Sequence, residues 1–357
     1  MVGGYTHFDQ KYGFHRVGKA DTPAPLAYAA AALPVGFSNA AGTWTLEQYL
    51  DRHPTTGLLI ARGSTILREH YRYARADADR FLSQSMAKTI TAMLIGIAVS
   101  EGRIRSIDQP AADYVPDLAG SNYGSTSIRD LLHMASGVAF LETYDGKDDS
   151  ARMGRMLFGR ANPGPAQVVA SFNTREAPAG TRFHYAGIET EVLGLVLRHA
   201  TGLSPAAYLE DRVWRKLGTE ADATWGVDTT GQEATYCCFS ATLRDWARFA
   251  LMLAHDGAWN GQQIVPKQWV LDATTVAAPW LAPGMTSKFY GYGYQIWLLP
   301  GARRQFALLG IHGQVIFVDP AAHLVMVHTA VRVQATGDPM AGEVVALWRA
   351  VVQRYAD

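Results

Sequence analysis

The order of strand-like and helix-like runs constrains this chain more than any single motif. Gly57–Tyr73 alternates about a Gly63-Ser64 turn and reads as a β-hairpin. Near the other end, Tyr290–Leu299, Gln305–Leu309, Val315–Asp319 and His323–Val331 read as strands, with turns at Pro300-Gly301 and Asp319-Pro320. Most of what lies between reads as helix: the stretch after Ser85 up to Glu101-Gly102, Ile188–His199 with Gly202 as its cap, and residues 203–217 and 241–256. A short helix over Thr43–Arg52 and an amphipathic one over Gly342–Tyr355 flank the strand regions. Ser127-Ile128-Arg129-Asp130 has the pattern of an N-cap with an acidic residue at the third helical position. It opens a helix that ends at Ser136-Gly137. Early strands, a helical middle and late strands predict an α+β fold with one antiparallel sheet drawn from both chain ends. Residues 1–80 with 286–357 form the expected sheet lobe, and 81–285 a mainly helical lobe, with a cleft between them. Residues 1–42 read as a surface arm, and 141–165 as a polar excursion across that cleft.

Ser85-Met86-Ala87-Lys88 opens the apolar helix. Positions three apart share a helix face, so Ser85 Oγ and Lys88 Nζ can meet. Serine needs a base to become a nucleophile, and a neutral lysine is one. An ordinary lysine titrates near ~10.4, which leaves about one in a few thousand neutral at pH 7. Desolvation raises that fraction steeply. A serine at a helix start also points its backbone N–H outward, where it can meet a developing oxyanion. In a chain with 7 lysines, such a pair alone is a weak signal.

Two further pieces add to it. Tyr185, in Phe183-His184-Tyr185-Ala186-Gly187, precedes a helix and can carry protons from there. Taken alone, it is more often a packed aromatic. Gly310-Ile311-His312-Gly313-Gln314 lies between two strands, where glycines let backbone approach a ligand, or else mark a simple bend at a sheet edge.

Formal charge is zero, with no run of like charge, which argues against a nucleic-acid footprint. The apolar stretch around Ile90–Val99 is too short to span a bilayer, and no basic region followed by an apolar one opens the chain. Cys237 and Cys238 are the only cysteines, and their adjacency disfavours a disulfide between them. Two free thiols suit a reducing compartment, so the expected location is cytoplasmic, with the periplasm as the alternative if a leader was removed. No His-Glu-x-x-His or paired-Cys ligand pattern occurs, and no metal or cofactor is expected.

Taken together and in order, Ser85-Met86-Ala87-Lys88, Asp130-Leu131-Leu132-His133-Met134-Ala135-Ser136-Gly137 and Tyr185-Ala186-Gly187 resemble the penicillin-recognising serine hydrolases. Within that superfamily the chain is most similar to the class C β-lactamase branch, which includes family VIII carboxylesterases and 6-aminohexanoate-dimer hydrolase. Ser106-Ile107-Asp108-Gln109-Pro110, Ala241–Phe249 and Gly310–Gln314 extend the resemblance from about residue 55 to the end. It implies the β-lactamase/transpeptidase-like fold, with Ser85 as acylated nucleophile, Lys88 as its base and Tyr185 as second proton carrier. It further implies an oxyanion hole from the N–H groups of Ser85 and Ile311, with Tyr144, His312 and Ser240 as substrate contacts. Two departures stand out. Gly187 replaces the asparagine of Tyr-x-Asn, and Leu308-Leu309-Gly310 lacks the lysine of Lys-Thr-Gly. Losing an amide and an ammonium tilts the expectation from a β-lactam toward a linear ester or amide. A β-lactamase or D-alanyl peptidase is the alternative, and a non-catalytic binding relative is a third. Asp145, Asp148 and Asp149 either favour a substrate amine or form a solvated loop, the latter being the stronger reading. The expected partner is a small-molecule ester or amide, with no nucleic acid and no membrane, and a homodimer is left open.

Overall fold

The computed structural model describes residues 2–31, 34–39 and 42–356. Its centre is an eight-stranded sheet in the spatial order Gly291–Tyr292, Trp297–Leu298, Phe306–Gly310, Gln314–Asp319, Leu324–Ala330, Thr55–Arg62, Thr65–Tyr71 and Ala27–Tyr28. Both chain ends contribute to it. The long central pair sets Leu324–Ala330 antiparallel to Thr55–Arg62, with Met326 opposite Ile60. Every pairing in this sheet is antiparallel except that of Ala27–Tyr28, which runs parallel to Thr65–Tyr71.

Alternation along each strand explains why both faces are buried. Leu58, Ile60, Val315, Phe317 and Met326 point to one side and pack with Tyr49, Leu347, Trp348 and Val351 from the helices Leu46–Arg52 and Ala341–Tyr355. Leu59, Ala61, Ile316, Val318, Val325 and Val327 point to the other, against Leu243, Trp246, Phe249 and Ala250 of the helix Leu243–Ala254. The sheet is therefore a filling between helical layers.

A smaller antiparallel sheet orders Phe14–Val17, Ala223–Gly226, Phe239–Ala241 and Phe81–Leu82. It delivers the chain to Ser85. Ser83 N donates to Phe239 O at 2.7 Å, and Ser83 Oγ accepts from Phe239 N at 3.2 Å. Beyond the turn, the helix Ala87–Ser100 is buried from Ala87 to Ala98 and packs on Gly187–Thr201. A Cβ on Gly96 would sit 2.4 Å from the Trp269 ring, whose Nε1 donates to Ala92 O at 3.1 Å.

Several expected elements appear with little change. The hairpin turns at Gly63-Ser64, Ser127 Oγ caps its helix through Asp130 N, and Gly202 ends the Gly187–Thr201 helix at φ +72°. Others differ. The expected arm contains short strands at Phe14–Val17, Ala27–Tyr28, Gly36–Asn39 and Gly42–Thr45; its positions 1, 32–33 and 40–41 lie outside the described residues. The helix expected from Thr43 starts at Leu46, because Thr45 and Gln48 form a capping box there. The helix opened by Ser127 stops at Leu132, and Asp149–Leu157 inside the 141–165 excursion is a helix. Tyr290–Leu299 is two short strands about Gln295, which takes φ +55°.

The cysteine expectation is corrected. Cys237 and Cys238 form a disulfide between neighbours, in a turn where Cys238 adopts φ +69°. The left-handed turn at Cys238 brings the two side chains to one side, which the sequence argument from adjacency overlooked. The thiol argument for a reducing compartment falls with it. Among the described residues no helix is long and apolar enough to cross a membrane.

Candidate active site

Ser85 lies in a 3-10 turn, Gln84–Met86, that runs directly into the buried helix. Gln84 takes φ +47°, so the turn is tight and lifts Ser85 to the helix start. One helical turn on, Lys88 Nζ donates to Ser85 Oγ at 2.8 Å and to Tyr236 O at 2.9 Å. Lys88 is 2% exposed, and burial pulls its pKa down to about 8, against an opposing pull from Glu142. At that value about one molecule in ten carries a neutral amine at pH 7.

Tyr185 faces the same serine. Its ring stacks on Trp297 with centroids 5.5 Å apart and lies 5.2 Å from Lys88 Nζ. The segment around it is pinned to Met134, whose carbonyl accepts from His184 N at 2.8 Å. Burial, then the charge of Glu142, raises the Tyr185 pKa, while the Ser85 hydroxyl works the other way. The phenol therefore keeps its proton at neutral pH. Behind the site, Gln295 joins three pieces at once. Its Oε1 accepts from Thr190 Oγ1 at 2.7 Å, its Nε2 donates to Leu131 O at 2.8 Å, and its carbonyl accepts from Thr89 Oγ1 at 2.8 Å.

Glu142 is a site residue that the sequence reading passed over. One carboxylate oxygen accepts from Tyr144 OH at 2.7 Å and the other from Gly187 N. A Cβ at Gly187 would lie 3.1 Å from that second oxygen. The space that a Tyr-x-Asn asparagine would need is thus held by a carboxylate from another loop. Asp148 shapes this loop, accepting from Thr143 N and Tyr144 N at 2.6 Å each and from Ala151 N at 2.9 Å. Asp149 accepts from Leu141 N at 2.8 Å, and Asp145 from Lys147 N at 2.7 Å. These three aspartates build the loop and are committed to its backbone.

The strand Phe306–Gly310 closes the other side. A Cβ on Gly310 would stand 2.5 Å from Ser83 O and 3.0 Å from Gln84 Cβ, so only glycine lets the strand reach the Ser85 turn. Ile311 follows at the edge of a cavity of about 920 Å³, which Ser85, Glu142, Tyr144, Tyr185 and Trp297 also line. The structure thus brings Ser85, Lys88, Tyr185, Tyr144 and Ile311 to one place. His312 does not join them: at φ +61°, its Nδ1 bonds Arg332 O at 2.8 Å and its ring meets Tyr5 edge-on. Ser240 is buried in the small sheet opposite Leu82 and Thr224, away from the cavity lining.

Comparison with known proteins agrees with this geometry. A family model described as Beta-lactamase matches residues 45–348. The chain belongs to the β-lactamase family. It is a serine hydrolase of that family. It is 32% identical over 290 residues to 6-aminohexanoate-dimer hydrolase of Paenarthrobacter ureafaciens, covering 79% of this chain and 74% of that one. A solved structure from Bacillus anthracis, assigned as a 6-aminohexanoate-dimer hydrolase, superposes with a TM-score of 0.87 at 24% identity, over 99% of this chain and 92% of the other. A family VIII carboxylesterase structure superposes with a TM-score of 0.63 at 17% identity, over 85% and 93% of the two chains. The last two likenesses concern the fold alone.

Proposed function

We propose that this enzyme cleaves linear amides or carboxylic esters through an acyl-enzyme on Ser85. The observation that carries the reading is the buried Lys88 amine, lowered to about 8 and hydrogen-bonded to Ser85 Oγ at 2.8 Å. Neutral Lys88 takes the Ser85 proton as Oγ attacks the carbonyl carbon. The carbonyl electron pair moves onto oxygen, which rests on the N–H groups of Ser85 and Ile311. Tyr185 gives its proton to the leaving nitrogen or oxygen and regains one from the Lys88 ammonium. The C–N or C–O bond breaks and the acyl-enzyme remains. Water then attacks with the same groups in reverse order, and the acid leaves.

Support for a linear substrate comes from the two positions that depart from the resemblance. Glu142 sets a carboxylate beside Gly187, and Leu308 stands where a lysine would meet the β-lactam carboxylate. The name of the Paenarthrobacter relative, a hydrolase of the 6-aminohexanoate dimer, favours a linear amide. The β-lactamase or D-alanyl peptidase reading draws on the family match, and nitrocefin turnover would reveal the former.

The test is the initial rate on p-nitrophenyl butyrate for the wild type and Ser85→Ala. The expected result is turnover by the wild type alone. Equal turnover by both would remove Ser85 from the mechanism.

A further inference from the structure

Cys237 and Cys238 close a disulfide across the peptide bond that joins them. In the chain-entropy view a disulfide stabilises a fold by closing loops of the unfolded chain, and one between neighbours encloses almost no loop. Its effect is therefore local, on the turn that carries it. Cys238 sits there at φ +69°, a conformation that a residue with a Cβ rarely takes and that its surroundings must hold. The small ring closed by the two sulfurs is part of that hold. Gly226 supplies the room, since a Cβ there would stand 3.0 Å from Cys238 Cβ. Gly226 N also donates to Cys238 O at 2.9 Å, and Trp225 Nε1 to Cys237 O at 3.0 Å.

The turn lies directly behind Ser85 and Lys88. On its N-terminal side, Tyr236 O is the second acceptor of Lys88 Nζ, at 2.9 Å. Thr235 O accepts from Thr91 Oγ1 of the same helix at 3.1 Å. On its C-terminal side, Phe239 pairs with Ser83, just before Ser85, through N to Ser83 Oγ at 3.2 Å and O from Ser83 N at 2.7 Å. The two cysteines are the whole connection between the carbonyl that holds Lys88 and the strand that holds the Ser85 turn. The disulfide can also be approached from outside. Cys237 is half-buried, and Cys238 lines a surface cavity of about 490 Å³ with Phe8, Tyr12, Arg155 and Phe158. That cavity and the one beside Ser85 share no lining residue, so a reagent acting there does not compete with substrate.

We propose that the Cys237–Cys238 disulfide positions Tyr236 O against Lys88, and that its reduction by a dithiol is a switch that slows acyl transfer. A thiolate of the dithiol attacks one sulfur, the S–S bond breaks, and a mixed disulfide forms; the second thiol then resolves it. Cys237 and Cys238 gain two electrons and two protons and become thiols, and the reductant leaves as a cyclic disulfide. With the ring open, Cys238 is free to leave its left-handed conformation, and Tyr236 O moves with the turn. Lys88 then loses the bond that aims its amine at Ser85. The proposal rests on the acyl-enzyme reading for the role of Lys88.

The experiment uses the full chain, oxidised with oxidised glutathione or reduced with dithiothreitol, then freed of reagent under nitrogen and assayed on p-nitrophenyl butyrate. The oxidised form should be two hydrogens lighter by intact mass and show no thiol on titration. Reduction should lower kcat by about tenfold or more while KM stays within about twofold, because a small misplacement of the base affects the reaction more than binding. The melting temperature should hold within a few degrees, and re-oxidation should restore the rate. Cys237→Ser/Cys238→Ser should work at the reduced level and ignore both reagents. Failure to form the disulfide, equal kcat in the two states, a loss carried by KM or by unfolding, or a serine variant as fast as the oxidised enzyme would each overturn the proposal. All but the last are read on the wild type, so a misfolded variant does not shield it. Turnover that survives Ser85→Ala refutes the acyl-enzyme reading, whereas a Ser85-dependent rate indifferent to reduction refutes the switch alone.

Discussion

Lys88 and Arg332 are two buried cations near one cavity, and they meet burial in opposite ways. Lys88 is 2% exposed, spends two hydrogen bonds on Ser85 and Tyr236, and has its pKa drawn down to about 8. Arg332 is 5% exposed, and its Nε and Nη2 have no hydrogen-bond partner among the described residues. An amine can relieve desolvation by giving up its proton, and the neutral form that results is a base. A guanidinium has no such exit and stays a cation. The same burial thus suits Lys88 to proton transfer and leaves Arg332 permanently charged.

The comparison breaks most visibly if the two side chains are made alike. Lys88→Arg leaves a cation that cannot accept the Ser85 proton, so kcat/KM on p-nitrophenyl butyrate should fall by about a thousandfold or more. Activity within tenfold of wild type would mean that Ser85 is activated by something else. Tyr185→Phe keeps the stacking on Trp297 and removes only the hydroxyl, so the rate should fall by about a hundredfold while the melting temperature holds. An unchanged rate would remove Tyr185 from the proton path. The smallest effect sharpens the comparison. Lys88 works when neutral, so kcat/KM should rise with pH and level off above about 8. The Glu142 charge raises the Lys88 pKa, so Glu142→Gln should move that rising limb to lower pH. A limb that stays put or moves upward would show that the base is not under Glu142's influence.

What the sequence disclosed follows from how local each signal is. The Gly63-Ser64 hairpin, the Ser127 cap and the Gly202 terminus are decided by neighbours a few residues apart, and all three were legible. The Ser85–Lys88 pair belongs with them, since helical spacing alone brings it together. Phe14–Val17 was not legible, because its partner strand is Ala223–Gly226 and nothing in four residues announces that pairing. Glu142 and Arg332 escaped for a related reason. A charged residue in a loop or after a strand reads as solvated by default, and only tertiary packing turns it inward. Gly187 and Leu308 were the available hints, because a missing polar group at a site asks what has taken its place.

The sheet has a consequence for the life of the chain before it is finished. Thr55–Arg62 and Thr65–Tyr71 emerge early, yet the strand that covers the inner edge of this pair is Leu324–Ala330. At ribosomal speeds that interval lasts tens of seconds. Throughout it the nascent hairpin holds Leu58, Leu59 and Ile60 beside an unpaired strand edge, which other chains can add to. Gly310 likewise reaches the Ser85 turn only near the end of synthesis. A ribosome-bound fragment stopped before residue 310 carries Ser85 and Lys88 but lacks the closing wall. The wall beside Ser85 is therefore among the last parts of the cavity to be made, and the strand edge exposed longest is one that the finished sheet buries.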